Sequence, residues 1–448
     1  MLSPEQAKDR AQDLVDRARK AGADTADAVY GANASEGIQI RLGNLEDVER
    51  SESEHIALRV FLGHRSASIG SSDLSPAALD ELADRAIAMA RAAPEDRYSG
   101  LAPAELLTHG PYPELDLIET YEPSPHTLRA MAEEAEEAAR AVEGITNSDG
   151  ASASAGSGVF ALATSHGFAG GYASTHHSIS VSVVGGEGAG KQRDNAWRTA
   201  HHASDLPAAA EIGKLAGERT IARLGSARAK SGPMPVVFDP RVAGTLLGHL
   251  IGAMSGSSIA RRSSFLLDKL EEQIFAPGIE VVERPHTPRG LRSRPFDGEG
   301  LPTVARNLVE DGRITGWLLE SASARQLGLQ PTGHAARNGG GAPSVSVGNV
   351  HLAAGALSPA ELMADIKDGV YVTELIGQGV NGVTGDYSRG ATGFRIVNGE
   401  LAGPISEFTV AGNLLSMFAK MTPANDLEWY RAINVPTVRV DGMTVAGD

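Results

Sequence analysis

The order helix, strands, helix occurs twice in the first 230 residues, and this repetition restricts the fold more than any other feature. Four helices are predicted, three of them from a serine that caps the helix followed by a proline suited to its first turn. The serine–proline pairs are Ser3–Pro4, Ser75–Pro76 and Ser124–Pro125, and the fourth helix is predicted over 207–224. Strand-like alternation occurs between the helices, at 38–45, 55–62 and 65–71 and again at 159–164, 171–175 and 178–184. Because the strands are grouped and do not alternate strictly with helices, the pattern predicts an α+β fold, and the repeated order suggests an internal duplication.

A proline-rich linker and a later change of pattern indicate where the chain divides. We predict an N-terminal α+β domain over 1–110 and a central α+β domain over 111–230. The remaining residues, 231–448, predict a β-rich domain that carries a few helices. Its clearest signal is a hairpin over 394–401, because the Asn398-Gly399 pair accepts the positive φ angles that a two-residue turn requires.

Charge and composition argue against several classes of protein. The 448 residues have a formal net charge of −16, and residues 1–150 carry most of it, with 29 acidic against 14 basic side chains. Such a surface repels nucleic acid, so we expect no nucleic-acid partner. Cysteine is absent, which removes disulfides and thiolate metal ligands. The first residues lack the apolar core of a signal peptide and no apolar run reaches the roughly 18 residues of a membrane span, so we expect a cytoplasmic protein with no membrane partner.

Short motifs of known chemistry are weak in this chain. Residues 185–191 match the phosphate-loop pattern GxxxxGK, but Gln192 stands where a serine or threonine would bind magnesium. A glycine-rich connection between strands is therefore the favoured interpretation. The histidine pairs at 176–177 and 201–202 have no third ligand at a recognised spacing, which favours surface or edge positions over a metal site. The GxSxG motif of serine hydrolases does not occur.

The segment 242–254 is apolar, has a helical pattern and contains one histidine, His249. Its residues alone predict a buried helix. One imidazole cannot hold a zinc ion, which requires three protein ligands in an open catalytic site. The segment by itself therefore does not indicate a metal centre.

Several parts of the chain together resemble the TldD/TldE (PmbA) family, whose members have long been labelled modulators of DNA gyrase. They are the helix and paired strands at the front, SASARQLG at 321–328, TGHA at 332–335 and NGVTGDYSRGATGF at 381–394. The last block is the most specific, since it is similar to the TGDxSRGAxGF signature of the PmbA/TldE branch. The resemblance spans nearly the whole chain.

This resemblance implies a catalytic motif that has been lost. In the TldD branch the corresponding helix carries HExxxH, and its two histidines with a later cysteine resemble a zinc peptidase site in which the glutamate activates water. Aligned with that motif, this chain has Gly248, His249 and Ala253 at the three chemical positions, and it has no cysteine. The resemblance therefore implies no catalytic residue and no cofactor in this chain, and zinc in a TldD-like partner.

The family resemblance also implies a role. TldE-like chains resemble non-catalytic subunits that pair with TldD in a heterodimeric metallopeptidase, and we expect a homodimer when that partner is missing. Such complexes degrade unfolded or flexible peptides, including leader segments of peptide microcins and labile antitoxins. Extended peptides are the expected substrates, since they can bind as an added β-strand through backbone hydrogen bonds.

Two other functions stay open at the level of sequence. One is an independent peptidase or hydrolase that uses His249, His334 or His351 with Asp386. The other is a binding protein that modulates gyrase, with the acidic first third imitating the charge of nucleic acid.

The block at 384–393 combines glycines with three polar residues, Asp386, Ser388 and Arg389. We interpret these three as a candidate binding site for a ligand or for the partner subunit. The alternative is structural: Asp386 and Arg389 would form an ion pair that fixes a tight turn before the hairpin. The residues alone do not separate these roles.

Overall fold

Two helix–strands–helix units build one six-stranded sheet. The computed structural model describes residues 1–447. The first unit contains α1 (Pro4–Lys20), β1 (Thr25–Arg41), β2 (Asn44–Leu62), β3 (Arg65–Ser71) and α2 (Pro76–Ala92). The second contains α3 (Pro125–Arg140), β4 (Ile145–Thr164), β5 (Ala169–Gly185), β6 (Gln192–Ala200) and α4 (Ala209–Ala222). The predicted α+β class and the order of elements in both units are confirmed.

The strand order of this sheet is symmetric. It runs β3-β2-β1-β4-β5-β6, and every neighbouring pair is antiparallel. β1 and β4 form the central pair, with Ala34 opposite Ser157. Strands from 1–110 and from 111–230 are therefore hydrogen-bonded into one sheet, and the predicted boundary near residue 110 lies in the connection between α2 and α3.

Alternate side chains of β1 pack against different layers on the two faces of the sheet. Ala26, Ala28 and Tyr30 pack with the apolar faces of α1 and α2. Val29 points the other way and packs with Phe296 from the C-terminal part of the chain. Since successive side chains of a strand point to opposite faces, the sheet lies between a layer of helices and the C-terminal part.

Some strand predictions are wrong in their bounds. The predicted strand at 38–45 is the β1–β2 hairpin, whose turn residues Leu42 and Gly43 have φ angles of 52° and 75°. The predicted segments 171–175 and 178–184 are one continuous strand, β5, and β6 has no counterpart among the predicted strands. The alternation of apolar and polar residues that marks a strand is weak here, because the strands of this sheet have long polar stretches. The first ten residues of β2, for example, are all exposed.

The C-terminal part is β-rich, as predicted, and contains two larger sheets. The strands are β7 (Ala227–Arg228), β8 (Gly232–Phe238), β9 (Val281–Arg284), β10 (Arg306–Glu310), β11 (Arg313–Ile314), β12 (Ala335–Ala336), β13 (Ser344–Val345), β14 (Asn349–Leu352), β15 (Asp368–Ile376), β16 (Asp386–Val397), β17 (Glu400–Asn413), β18 (Met421–Pro423), β19 (Ile433–Asn434) and β20 (Val438–Ala446). The seven-stranded sheet has the order β18-β20-β8-β15-β16-β17-β7, and the five-stranded sheet has the order β11-β10-β9-β14-β19. β17 also pairs with β20, which closes β20, β8, β15, β16 and β17 into a ring.

The helices of this part are short except for one. They are α5 (Pro240–Met254), α6 (Gly256–Ala260), α7 (Ser321–Leu327), α8 (Pro359–Met363) and α9 (Leu414–Ala419). Leu246 of α5 shares a buried cluster with Val372 of β15 and Val350 of β14, so α5 joins both sheets through one core. In residues 1–447, no helix is both long enough and apolar enough to cross a bilayer.

The hairpin predicted at 394–401 is confirmed. β16 and β17 pair from Val397 opposite Glu400 onward. Asn398 and Gly399 form the turn with φ angles of 51° and 84°. Both lie in the left-handed region, which asparagine and glycine tolerate better than other residues.

A buried cluster of charges joins the six-stranded sheet to the C-terminal part. Asp27 of β1 accepts hydrogen bonds from Arg59 Nε at 3.0 Å and from the Arg337 guanidinium at 3.1 and 3.0 Å. The side chains of Asp27, Arg59 and Arg337 are 2%, 7% and 0% exposed. Burial alone would raise the pKa of Asp27, but the two guanidiniums outweigh it and hold the pKa below its ordinary value. The carboxylate is therefore ionised and paired twice.

A second buried carboxylate near this cluster has the opposite behaviour. Ser321 donates two hydrogen bonds to Glu299 Oε2, from its backbone nitrogen at 2.9 Å and its hydroxyl at 2.7 Å. Burial, together with the neighbouring Asp297, nevertheless raises the pKa of Glu299 to about 7. The folded chain therefore keeps a proton on Glu299 that the unfolded chain releases near pH 4.3.

We expect this proton to make stability fall as pH rises. Between about pH 4.5 and 7 the folded state binds more protons than the unfolded state, so the free energy of unfolding decreases through that window. Glu299→Gln should remove the contribution of Glu299 to this slope, leaving that of the buried Asp297, and stabilise the chain at pH 8 by on the order of 2 kcal/mol. Urea unfolding at several pH values tests it, with the exposed Glu310→Gln as a matched control. Parallel curves for wild type and Glu299→Gln would contradict the expectation.

Candidate functional site

The helix that carries the degenerate motif is α5. Asp239 caps it by accepting a hydrogen bond from the Arg241 backbone nitrogen at 2.8 Å, and Pro240 occupies the first turn. Of the three motif positions, Ala253 is buried and His249 is half-buried, whereas Gly248 is exposed. A Cβ atom added at Gly248 would meet no atom within 4 Å. The packing therefore leaves room for a larger side chain at this position.

Strand β16 places two polar side chains on the same side as His249. Tyr387 is 1% exposed and Arg389 is 8% exposed, and both point inward because they are two residues apart on a strand. The rings of His249 and Tyr387 form an edge contact with their centroids 6.1 Å apart. We call these three residues the His249 cluster.

The His249 cluster has unused hydrogen-bonding capacity. Among residues 1–447, His249 Nε2, Tyr387 Oη and Arg389 Nε are each buried without a hydrogen-bond partner. Nε is the one nitrogen of the Arg389 guanidinium that is both buried and without a partner in that part of the chain. Each buried polar atom without a partner destabilises a folded chain by about 1–3 kcal/mol, so three of them side by side in a native protein indicate a function beyond folding.

The charges of this cluster follow from its burial. Burial, and secondarily the positive charge of Arg389, lowers the pKa of His249. Burial raises the pKa of Tyr387, although Arg389 acts in the opposite direction. At neutral pH the cluster is therefore a neutral imidazole, a neutral phenol and a fixed guanidinium.

This donor set does not fit a zinc ion. Zinc in an open peptidase site needs three ligands from His, Cys or carboxylate side chains. Beside His249 the structure places a phenol and a cationic guanidinium, and the guanidinium has no lone pair to offer a metal. Within the described residues, no group of three or more His, Cys, Asp or Glu side chains is arranged to hold a metal ion.

The structure separates the three polar residues of the 384–393 block. Asp386 and Ser388 are exposed, whereas Arg389 is buried on the opposite face of β16. Asp386 Oδ2 accepts a hydrogen bond from the Thr384 hydroxyl at 2.7 Å, and its Oδ1 accepts one from Asn413 Nδ2 at 3.2 Å. The Asp386–Arg389 ion pair that we considered is therefore wrong, because alternation on a strand directs the two side chains apart. A binding role for Asp386 and Ser388 stays a prediction.

The residues considered for an independent hydrolase have separate partners. His334 is buried, with Nε2 at 2.8 Å from Glu283 and Nδ1 at 2.7 Å from the Thr332 hydroxyl. His351 packs edge-on against Trp429 with ring centroids 4.7 Å apart. In the described residues, no hydrogen bond or ion pair joins Asp386 to a histidine. The geometry therefore gives the hydrolase hypothesis no support.

The other motifs considered have structural explanations. Residues 185–191 connect β5 to β6, and the next element is a strand where a phosphate loop would require a helix. The surface interpretation is wrong for three of the four paired histidines, since His177, His201 and His202 are buried. His201 Nδ1 lies 2.6 Å from the Thr175 carbonyl oxygen, and His202 Nε2 lies 3.0 Å from the Asp116 carbonyl oxygen. The first contact joins the end of β6 to β5, and the second holds the linker between the two units against the sheet.

Tyr387 is the member of the His249 cluster that is not among the residues predicted from the sequence, whereas Arg389 is among them as a candidate binding residue, with an ion-paired turn as the alternative. The available signal was the strand period, which places 387 and 389 on one face and 386 and 388 on the other. Which face is buried depends on α5, a helix more than a hundred residues earlier in the chain.

Comparison with family models finds a match over most of the chain. Three models match: PmbA/TldA metallopeptidase domain 1 at residues 26–90, the central domain at 118–224 and the C-terminal domain at 231–447. Two similar relatives are the metalloprotease PmbA of Escherichia coli O157:H7 and a PmbA homologue of Haemophilus influenzae. The first is 40% identical over 412 residues, covering 92% of this chain and 89% of that protein. The second is 34% identical over 436 residues, covering 97% and 94%.

Solved structures with this fold are also found. A Bacteroides thetaiotaomicron protein labelled a modulator of DNA gyrase superposes with a TM-score of 0.90 at 26% identity, covering 100% of both chains. TldE of Thermococcus kodakarensis superposes with a TM-score of 0.85 at 20% identity, covering 98% of this chain and 100% of its own. Because the identity to TldE is only 20%, this similarity is evidence for the fold alone.

Proposed function

Since this chain belongs to the PmbA/TldD family of metallopeptidases, we propose that it is the non-catalytic, TldE-like subunit of a cytoplasmic peptidase complex. In this proposal it pairs with a TldD-like chain that holds the zinc ion, and the complex degrades unfolded or flexible peptides. Leader segments of peptide microcins and labile antitoxins are the substrate classes we propose. In the absence of the partner, we propose that the chain forms a homodimer.

The observation that carries this proposal is the donor set of the His249 cluster. A zinc peptidase requires metal ligands and a carboxylate base on the motif helix. The corresponding positions here are a glycine, a histidine and an alanine, and the fixed cation Arg389 lies beside the histidine. Packing does not require the glycine, since the space around Gly248 is open. The open space supports the proposal that the missing ligands reflect a change of function, because the fold itself does not exclude a larger side chain at position 248.

Metal analysis and peptide hydrolysis test this proposal together. We expect the purified chain to bind no stoichiometric zinc and to cleave no flexible peptide. Co-expression with a TldD-like chain should give a stable complex that contains zinc and cleaves such peptides. Replacing the glutamate of the partner's HExxxH motif with glutamine should lower that activity by about a hundredfold or more.

Two results would overturn the assignment. One is stoichiometric zinc in the isolated chain. The other is peptide hydrolysis by the isolated chain that disappears in His249→Ala. Because His249 is half-buried, circular dichroism of the variant would verify that it is folded.

A further inference from the structure

A cleft rich in arginine separates strand β6 from the C-terminal part of the chain. Its volume is about 660 Å³. It lies over the part of the sheet formed by β4, β5 and β6, and the end of α4, the start of α5, β15 and residues 430–431 enclose it. Six arginines line it: Arg193, Arg198, Arg219, Arg223, Arg241 and Arg431. Only three carboxylates do so: Asp149, Asp194 and Glu374. We call this space the arginine cleft.

The three carboxylates of the arginine cleft are already paired. Asp194 binds both Arg223 and Arg241, with N–O distances of 3.4 and 3.2 Å. The remaining pairs are Glu374 with Arg223 at 2.6 Å and Asp149 with Arg193 at 3.5 Å. Two of these ion pairs, Arg241 with Asp194 and Arg223 with Glu374, connect the second unit to the C-terminal part. Together the four pairs leave no carboxylate of the cleft for the other arginines.

Arg198, Arg219 and Arg431 are the arginines without a carboxylate partner in the described part of the chain. Arg219 donates to the Asn195 carbonyl oxygen at 3.2 Å, and Arg198 donates to the Trp197 carbonyl oxygen at 2.9 Å. Arg431 Nε is buried without a hydrogen-bond partner. Three positive charges therefore face the cleft uncompensated, although the whole chain has a net charge of −16. Such a local field attracts anionic groups.

Aromatic rings hold two of these guanidiniums in place. The Arg198 guanidinium carbon lies 4.0 Å from the ring centre of Tyr430. That of Arg431 lies 4.9 Å from the ring centre of Trp197. A guanidinium stacked on a ring keeps its N–H edges free in the plane, which suits bidentate binding of a carboxylate.

Strand β6 offers a free backbone edge along the same cleft only in its later residues. At its start, the Asp194 nitrogen donates to the Thr220 hydroxyl at 3.1 Å and the Asn195 carbonyl oxygen accepts from Arg219 at 3.2 Å. β6 is the last strand of the six-stranded sheet, with β5 as its neighbour on the other side.

A second cavity of about 480 Å³ shares Arg198, Tyr430 and Arg431 with the first and continues past Thr199 and Ala200. The groove thus leaves a free edge of β6 from about residue 196 to Ala200, about 17 Å at the usual rise per residue. An extended peptide can add to such an edge as a further strand.

We propose that the arginine cleft binds an acidic peptide in extended form along β6, with aspartate or glutamate side chains against Arg198, Arg219 and Arg431. This inference rests on the proposed function in one respect, that flexible peptides are the ligand class. It adds that negatively charged segments are preferred and that this subunit selects them. The binding is a property of this chain alone and needs no TldD-like partner.

Fluorescence anisotropy with the full-length chain tests the proposal. The probe is a labelled nine-residue peptide with glutamate at every second position, compared with the same peptide carrying glutamine. We expect the glutamate peptide to bind at least about tenfold more tightly at low salt, with the difference shrinking at high salt. Arg198→Gln and Arg219→Gln should each weaken its binding by about fivefold to tenfold. The matched control is Arg228→Gln, an exposed arginine outside the cleft, which should change binding less than twofold.

Three results would overturn the inference: equal affinity for the two peptides, no effect of the cleft variants, or tighter binding of a single-stranded oligonucleotide of equal charge. Circular dichroism would establish that each variant is folded. The zinc and hydrolysis assays give an independent result. If the complex contains no zinc and cleaves no peptide while the glutamate peptide still binds, the proposed function is wrong and the peptide-binding inference is retained. If the complex is active but the chain does not prefer the glutamate peptide, the inference is wrong and the proposed function is retained.

Discussion

Asp27→Ala is expected to lower the free energy of unfolding by about 3–5 kcal/mol, because it leaves two guanidiniums buried without their counter-ion. Asp27 is 2% exposed, and its carboxylate accepts hydrogen bonds from both Arg59 and Arg337. The Arg337 side chain is fully buried, so water cannot replace the lost partner. The cluster also joins β1 to the C-terminal part, and its loss should loosen that contact.

Urea unfolding at pH 7 measures this effect, and its dependence on pH supplies a second readout. Since the folded-state pKa of Asp27 is lowered, its pairing stabilises the chain above the ordinary aspartate pKa near 4 and is lost as pH falls through the folded value. The difference between wild type and Asp27→Ala should therefore shrink in acid. Glu133→Ala, which removes an exposed pair with Arg129, should cost less than about 0.5 kcal/mol. A loss below about 1 kcal/mol in Asp27→Ala would contradict the argument.

Arg389→Met is expected to stabilise the chain, in contrast to Asp27→Ala, and to raise the free energy of unfolding by about 1–3 kcal/mol. Arg389 is 8% exposed, and within residues 1–447 its buried Nε has no hydrogen-bond partner that would offset its desolvation. Methionine keeps the length of the side chain and removes the charge. Because Arg389 contributes to lowering the pKa of His249, the variant should also raise that pKa.

Urea unfolding and an NMR titration of His249 measure the two effects separately. Arg389→Lys is the matched control, since it keeps a positive charge at the same place and should give no gain in stability. Destabilisation of Arg389→Met by more than about 1 kcal/mol would show that the guanidinium supports the fold. The expected gain would instead mean that the chain retains this charge at the expense of stability, as proteins do at functional positions.

Local signals predicted much of the fold. The capping box of α1, in which Ser3 and Gln6 exchange hydrogen bonds, has the geometry inferred from the residues. The same holds for the turn at Asn398 and Gly399. These features are predictable because they depend on a few neighbouring residues. β6 and the polar half of β2 were not predictable in this way, since their pairing partners and not their apolar patterns make them strands.

The candidate sites depend more strongly on tertiary contacts. The motif positions on α5 come from a family resemblance, whereas the position of Arg389 beside His249 requires β16 to pack against that helix. The arginine cleft could not be predicted from any local sequence pattern. Its unpaired members, Arg198, Arg219 and Arg431, are spread over more than two hundred residues and meet only when the sheet docks on the C-terminal part.

The central pairing of β1 with β4 has a consequence for synthesis on the ribosome. About a hundred residues separate Arg41, where β1 ends, from Ile145, where β4 begins. At 5–20 residues per second, β1 emerges roughly 5–20 s before the strand that completes its hydrogen bonding. During that interval the nascent chain presents an open strand edge, which is a template for pairing with other chains. The polar and acidic residues along these strands make the strands hard to recognise in the sequence. The same residues are suited to preventing aggregation of the unfinished sheet.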